Sequence, residues 1–445
     1  MTVAAVRIER VALTPRQGML AAGLDLPKPS SVVEGYTLRL EGWAVGSQEE
    51  VTSLTVRHGG RPVAEGVAVD RPRPEVATSF ENATPDQRCG FSFSLGTLAL
   101  PTSFEIDLEA QTAAGARFRI GTIGATRDPI ESEYSPELQP LVLNALGRSG
   151  TTWMASLLGA HPQIGAFEPT AHDARLGTYW ATVLQELSQP RSYLTPFAPQ
   201  GLASRRWWLG DGGVKEPSSP SLEAWLGSRL PVSLASMCQA QIDAFYLANT
   251  DVDTEASPAY FVEKFVPRQP ALTLLEELYP GSREVILVRD FRDVLCSILA
   301  FNRKRGFQAF GRARVTSDAE YVTTNLRNSA QALLERWQTH REDAHLVRYE
   351  DLIRDPQGCL RGVLAHLGLA ADAETVDAMV ARAAERGSPG HRTTDDAHAS
   401  VGRWKRDLPS QLQAVCEDAL GPALTGFGYE PSPPPGGTAG GVDRS

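Results

Sequence analysis

Residues Leu141–Pro162 read LVLNALGRSGTTWMASLLGAHP. An apolar run leads into a turn bounded by Gly147 and Gly150, and the turn leads into a helix-forming stretch from Thr151. A strand, turn and helix in this order aim backbone N–H groups and the positive end of a helix dipole at one point, which suits an anion and above all a phosphate. ATP-hydrolysing loops use GxxxxGK[ST], in which a lysine reaches the outer phosphates and a hydroxyl holds magnesium. Here the spacing from Gly147 to Gly150 is too short and Thr151 stands in the lysine's place, so ATP hydrolysis is disfavoured.

Around this stretch, the strand-like runs LVLNAL, AYFVEKFV and EVILVR alternate with helix-length segments such as TTWMASLLGA, ALTLLEELY and DAEYVTTNLRNSAQALLERWQTH. That alternation predicts an α/β fold with a mostly parallel sheet covered by helices. Upstream, from Val32 to Ile123, the pattern changes to short period-two segments such as LRLEGWAV, VTSLTVRHGGRPVAEGVAV, GFSFSL and FEIDLEAQTAAGARFRIGTI. Alternation broken by HGGR and AAGA turns predicts antiparallel hairpins, and with them an all-β, immunoglobulin-like sandwich of about seven strands. Asp70–Phe80 carries two prolines and reads as a loop or edge crossing.

The polar, proline-punctuated segment from Ala125 to Pro140 reads as a linker. The expected organisation is thus a β-sandwich-like domain over residues 1–130, a loop-bearing domain over 138–430, and a disordered tail over 431–445, which is too poor in apolar residues to pack.

A chain of 445 residues suits two domains, each able to bury a core. The formal net charge of −10 argues against nucleic acid or an anionic membrane surface as the main partner. Arg7, Glu9 and Arg10 interrupt the start before a signal peptide could form, and no apolar run reaches membrane-spanning length, so a cytoplasmic protein is expected. The five cysteines are far apart, without the paired spacing of a metal or disulfide framework, and read as buried thiols.

GRSGTTWM closely resembles the 5′-phosphosulfate loop of the sulfotransferases that use 3′-phosphoadenosine 5′-phosphosulfate (PAPS). EVILVRDFRDVLCSILAF, Glu284–Phe301, is similar to the same family's second phosphate site: a strand ends in Arg289 and a helix presents Ser297 eight residues later. An arginine fork with a hydroxyl donor suits a terminal phosphate. VRYEDLIRDP (Val347–Pro356) resembles the family's late strand, turn and helix, and SVGRWKRDL (Ser400–Leu408) its GxWK loop. The four motifs occur in order, and the resemblance covers about residues 138 to 430. It implies a P-loop-like sulfotransferase fold, PAPS as co-substrate and no metal.

Sulfuryl transfer requires a cation where charge develops at the bridging oxygen, donors around the phosphates, and a base for the acceptor proton. The resemblance implies Lys264 of AYFVEKFVP and Arg148 of the loop as the cations, although Phe265 and the later Pro267 depart from the family's EKTP or NKDP segment. Ser149, Gly150, Thr151 and Thr152 are implied at the 5′-phosphate, and Trp153 at adenine or in the core. Arg289, Ser297, Gly402, Arg403 and Lys405 are implied at the 3′-phosphate. The histidine that cytosolic small-molecule members place after their lysine is absent. Tyrosylprotein and some bacterial members use a glutamate instead, which points to Glu168 of AHPQIGAFEPTAHD as catalytic base, with His172 and Asp173 as alternatives.

The run FNRKRGFQAFGRAR, with Arg303, Lys304, Arg305, Arg312 and Arg314, is either a solvated face or a surface that steers an anionic ligand. Paired aromatics at Trp207 and Trp208 suit an acceptor wall for a sugar or planar ring. The expected partner is a hydroxyl-bearing acceptor, a glycan or glycosylated metabolite among the candidates. Two rival readings remain: a small-molecule kinase, and a non-catalytic glycan-binding scaffold.

Overall fold

The computed structural model describes residues 4–14, 19–77, 79, 88–169, 172–189, 225–249, 258–267, 269–385 and 397–430. Contacts divide the chain into two compact units. The first gathers Met1–Pro136 with Leu176–Ile242 and Pro270–Pro280; the second holds Glu137–Arg175, Asp243–Gln269 and Gly281–Ser445. Trp207, Trp208 and the 431–445 tail lie outside the described residues.

In the first unit the described strands are β1 (Ala5–Leu13), β2 (Met19–Leu26), β3 (Val32–Glu34), β4 (Thr37–Gly46) and β5 (Val51–His58). They continue with β6 (Arg61–Ala68), β7 (Arg71–Pro72), β8 (Arg88–Gly96), β9 (Ser103–Thr112) and β10 (Arg117–Arg127). They form two antiparallel sheets, β3-β1-β10-β9-β5-β6 and β2-β4-β8-β7. Period-two alternation turns Leu38 and Leu40 of β4, Phe91 and Phe93 of β8 and Ile106 and Leu108 of β9 into one apolar core.

More strands are present than the hairpin count predicts, because β1 and β2 precede Val32. Their signal is masked by charge: Arg7 and Arg10 point outward and pair with Asp128 and Glu105. The proline-containing β7 lies at a sheet edge, where its missing N–H costs no ladder bond.

Arg127, at the end of β10, has a side chain 0% exposed. It donates to both carboxylate oxygens of Glu277 at 2.7 and 2.6 Å, and to the carbonyls of Thr97, Leu100 and Asp128. Glu277 lies on the Pro270–Leu278 helix, so the first unit joins its β-rich part to a helix encoded much later.

The second unit is built on five parallel strands: β11 (Gln139–Ala145), β12 (Ile164–Gly165), β13 (Tyr260–Phe265), β14 (Arg283–Val288) and β15 (Ala344–Arg348). Their order is β12-β13-β11-β14-β15. Both faces are buried. Val285 and Leu287 of β14 join one cluster with Leu141, Leu143, Met154 and Leu364, and Ile286 and Val288 join another with Phe291, Leu333 and Leu420. This explains why these strands read as continuous apolar runs. The chain leaves β11 toward β13 on one side and β14 on the other, so the carboxyl end of β11 is a topological switch point, the usual place for a ligand crevice. Among the described residues no helix is long and apolar enough to cross a membrane.

Candidate active site

The loop that opens the sequence reading leaves the carboxyl end of β11 and enters the Thr151–Leu158 helix. Gly150, at the N-cap, has φ 92°, and a Cβ there would meet the Tyr349 ring at 2.6 Å; the position requires glycine on both counts. Arg148 also adopts a left-handed φ, 71°, without being glycine. Strain of this kind collects at functional loops. The Ser149 hydroxyl is buried with no hydrogen-bond partner among the described residues.

On the β14 side stands Arg289, 4% exposed. Its guanidinium lies 4.5 Å over the Tyr349 ring and donates through Nη1 to the Arg148 carbonyl at 3.2 Å and through Nη2 to the Ser400 carbonyl at 2.6 Å. Its Nε is buried without an acceptor among the described residues. The next helix, Phe291–Arg305, is capped by the Asp290 side chain at its start and by Gly306 at φ 74° at its end. Two turns in, buried Ser297 accepts from Arg148 Nε at 3.2 Å. Arg148 also lies 4.7 Å over Phe301. Burial, then the neighbouring charge of Arg289, pulls the Arg148 guanidinium down to about 10, a sign of positive charge gathered in a poorly hydrated place.

The Ser400–Lys405 turn arrives beside this cluster. Asp293, fully buried on the Phe291–Arg305 helix, accepts from Gly402 N at 2.6 Å and from Trp404 N at 2.9 Å. Gly402 has φ 67°. Arg403 donates to Asp407 at 2.6 Å, and Lys405 is exposed, 5.5 Å from the Trp404 ring. Trp404 itself is core, with the Arg292 guanidinium 3.9 Å above it.

On the β13 side, Lys264 is 5% exposed and faces Leu143 of β11 in register. Its Nζ lies 2.6 Å from Asp173 Oδ1 and donates to Thr152 Oγ1 at 3.3 Å. Burial lowers its proton affinity, and Asp173 opposes the shift. His172, at φ 58°, shares a hydrogen bond with Ser156 Oγ at 3.0 Å through Nε2, and its buried Nδ1 has no partner among the described residues. Burial and then Lys264 push its imidazole down to about 4, so it is neutral at physiological pH. Glu168 stands half-buried four residues earlier, and Trp153, like Tyr260, is half-buried against the core cluster that includes Tyr349.

The second unit therefore brings Arg148, Thr152, Lys264, Arg289 and Ser297 to the carboxyl ends of three adjacent strands. The sequence reading gave no role to Asp293, Tyr349 or Ser400. For Asp293 a signal existed: it stands one helical turn before Ser297, on the same buried face.

Comparison with known proteins adds a family to this geometry. The solved sulfotransferase domain of the Synechococcus PCC 7002 olefin synthase is 20% identical, with 68% of this chain and 99% of that chain covered and a TM-score of 0.39. Sulfotransferase STF9 from Mycobacterium avium is 14% identical, with 66% and 78% covered and a TM-score of 0.36. Mouse sulfotransferase SULT7A1, solved in complex with PAP, is 10% identical, with 65% and 85% covered and a TM-score of 0.36. A model described as "Sulfotransferase family" matches residues 140–373, more than half of the chain and the part that carries the glycine loop, Lys264, Arg289 and Ser297. The chain belongs to the sulfotransferase family.

Proposed function

We propose that this sulfotransferase moves the sulfuryl group of PAPS to a hydroxyl, or an amine, of a carbohydrate or small-molecule acceptor. The observation that carries the reading is Arg289. It is buried beside the half-buried Arg148, has no carboxylate at ion-pair distance among the described residues, and keeps an Nε without an acceptor, while the nearby buried Ser149 hydroxyl has no hydrogen-bond partner among the described residues. Buried donors and positive charge of this kind call for anions. A nucleotide with phosphates at both ends would supply them on two sides of one loop.

Bound there, PAPS supplies an SO3 group on a phosphate leaving group. The chain's task is positioning and charge stabilisation. Ser149, Gly150, Thr151 and Thr152 hold the 5′-phosphate with backbone N–H and hydroxyl groups at the helix start. Arg289, Ser297 and the Gly402–Lys405 turn hold the 3′-phosphate, and Trp153 offers its ring to adenine. Lys264 and Arg148 balance the charge that develops at the bridging oxygen. Glu168 takes the acceptor proton, with His172 and Asp173 next in line on the same connection. No residue of this scheme requires a metal. The acceptor class rests on the β-rich N-terminal part, by domain analogy.

The test is incubation with PAPS and a panel of glycans and glycosylated metabolites, followed by mass spectrometry. A sulfate ester on one acceptor class is expected. Phosphate transfer from ATP under the same conditions would overturn the reading in favour of a kinase.

A further inference from the structure

We infer that Asp293 is the positioning residue that sets the Ser400–Trp404 turn against Arg289, and so makes the second phosphate site selective for a 3′-phosphate. The inference rests on the nucleotide reading above. Asp293 is fully buried, yet neither of its oxygens is given to Arg289. One accepts from Gly402 N and the other from Trp404 N, so the carboxylate grips the turn's main chain at two points. At its other end the same turn offers the Ser400 carbonyl to Arg289 Nη2, and the Ser400 hydroxyl meets at 3.1 Å the hydroxyl of Tyr349, over whose ring Arg289 lies.

Two consequences follow from this geometry. The turn is held to the Phe291–Arg305 helix one turn ahead of Ser297, which fixes Gly402, Arg289 and Ser297 relative to one another. An ion pair between Asp293 and Arg289 would occupy the guanidinium's N–H groups; because the carboxylate oxygens go to main-chain N–H groups, Arg289 keeps its Nε open to an incoming anion. Burial pushes the Asp293 carboxyl up to about 6, against the two N–H groups and Arg289, so it is mainly ionised at neutral pH. Left-handed Gly402 lets the turn present both N–H groups to one carboxylate.

Asp293→Asn keeps the volume but places an NH2 against one of the two N–H donors. Hydrogen exchange at the Gly402 and Trp404 amides should speed up about tenfold or more, as expected for the loss of a charge-assisted bond. Affinity for 3′-phosphoadenosine 5′-phosphate should fall about tenfold while affinity for 5′-AMP, which lacks the 3′-phosphate, stays within about twofold. Equal weakening of both nucleotides, or no change in either with the amides still protected, would overturn the inference. If the wild type itself fails to prefer the 3′-phosphorylated nucleotide, the nucleotide reading falls, and the selectivity assigned to Asp293 falls with it. The amide exchange then shows separately whether Asp293 holds the turn. Should Asp293→Asn not fold, the wild-type amides decide: slow exchange at Gly402 and Trp404 is expected, and unprotected amides would overturn the assignment.

Discussion

Arg127 and Arg289 are both buried at the ends of strands, and they do opposite things. Arg127, in the first unit, is saturated: Glu277 takes two of its N–H groups and three carbonyls take the rest. Arg289, in the second, meets an aromatic face and two carbonyls, keeps an Nε without an acceptor, and has its nearby carboxylate, Asp293, committed to the main chain. A buried charge that is fully paired holds a fold together; one that is hydrogen-bonded but not neutralised is poised for an anion. The protein thus places a saturated arginine in the β-rich first unit and, at the switch point of the parallel sheet, an arginine with an open donor, which the proposed function assigns to the nucleotide.

The largest effect should come from breaking the saturated pair. Arg127→Met leaves Glu277 buried and uncompensated, and should cost about 3–5 kcal/mol of stability. Chemical denaturation followed by far-UV circular dichroism would show it, with nucleotide affinity unchanged while the protein stays folded. Lys264→Met should spare stability and nucleotide binding but lower turnover ~10²–10³-fold, the loss typical of one preorganised donor at developing charge. Steady-state kinetics at saturating PAPS would measure it.

Glu168→Gln should lower turnover ~10²-fold with nucleotide affinity intact, as for loss of a general base. If that variant keeps full turnover and His172→Asn does not, the base is His172. Arg289→Met sharpens the comparison most. It should weaken binding of 3′-phosphoadenosine 5′-phosphate by about 1.5–3 kcal/mol, the value of hydrogen bonds to a charged group, and leave stability within about 1 kcal/mol. A large fall in its melting temperature would make it another Arg127.

The smallest effect is a pH dependence. His172 is held near 4 in the folded protein against 6.5 unfolded, so the unfolded chain binds more protons between these values. Stability should therefore be full above about pH 6.5 and fall as the pH drops toward 4, and His172→Gln should flatten that slope in denaturation curves taken across the range.

The glycine loop was legible as a local pattern, a strand end running into a turn with obligatory glycine, while Arg289 and Ser297 were legible through a stretch that resembles the sulfotransferases' second phosphate site. The parallel sheet was legible for the same reason, since two buried faces leave an uninterrupted apolar run in β11 and β14. What could not be read was pairing across the chain. Nothing near Asp293 announces Gly402 and Trp404, more than a hundred residues later, and nothing near Arg127 announces Glu277. Lys264 could be picked from its strand end. Its ion pair with Asp173 could not, because the connection that carries His172 and Asp173 has no periodic pattern to place it. Trp404 is packing beneath Arg292, and β1 was hidden because its outward residues are charged.

The central claim, that the Arg148 and Arg289 cluster is built for a nucleotide phosphorylated at both ends, meets its most direct test in calorimetric titration of the wild-type protein. The ligands are 3′-phosphoadenosine 5′-phosphate and, in parallel, ATP with magnesium. Tight binding of the first and weak binding of the second is the result predicted. The reverse preference, or silence from both, would contradict it.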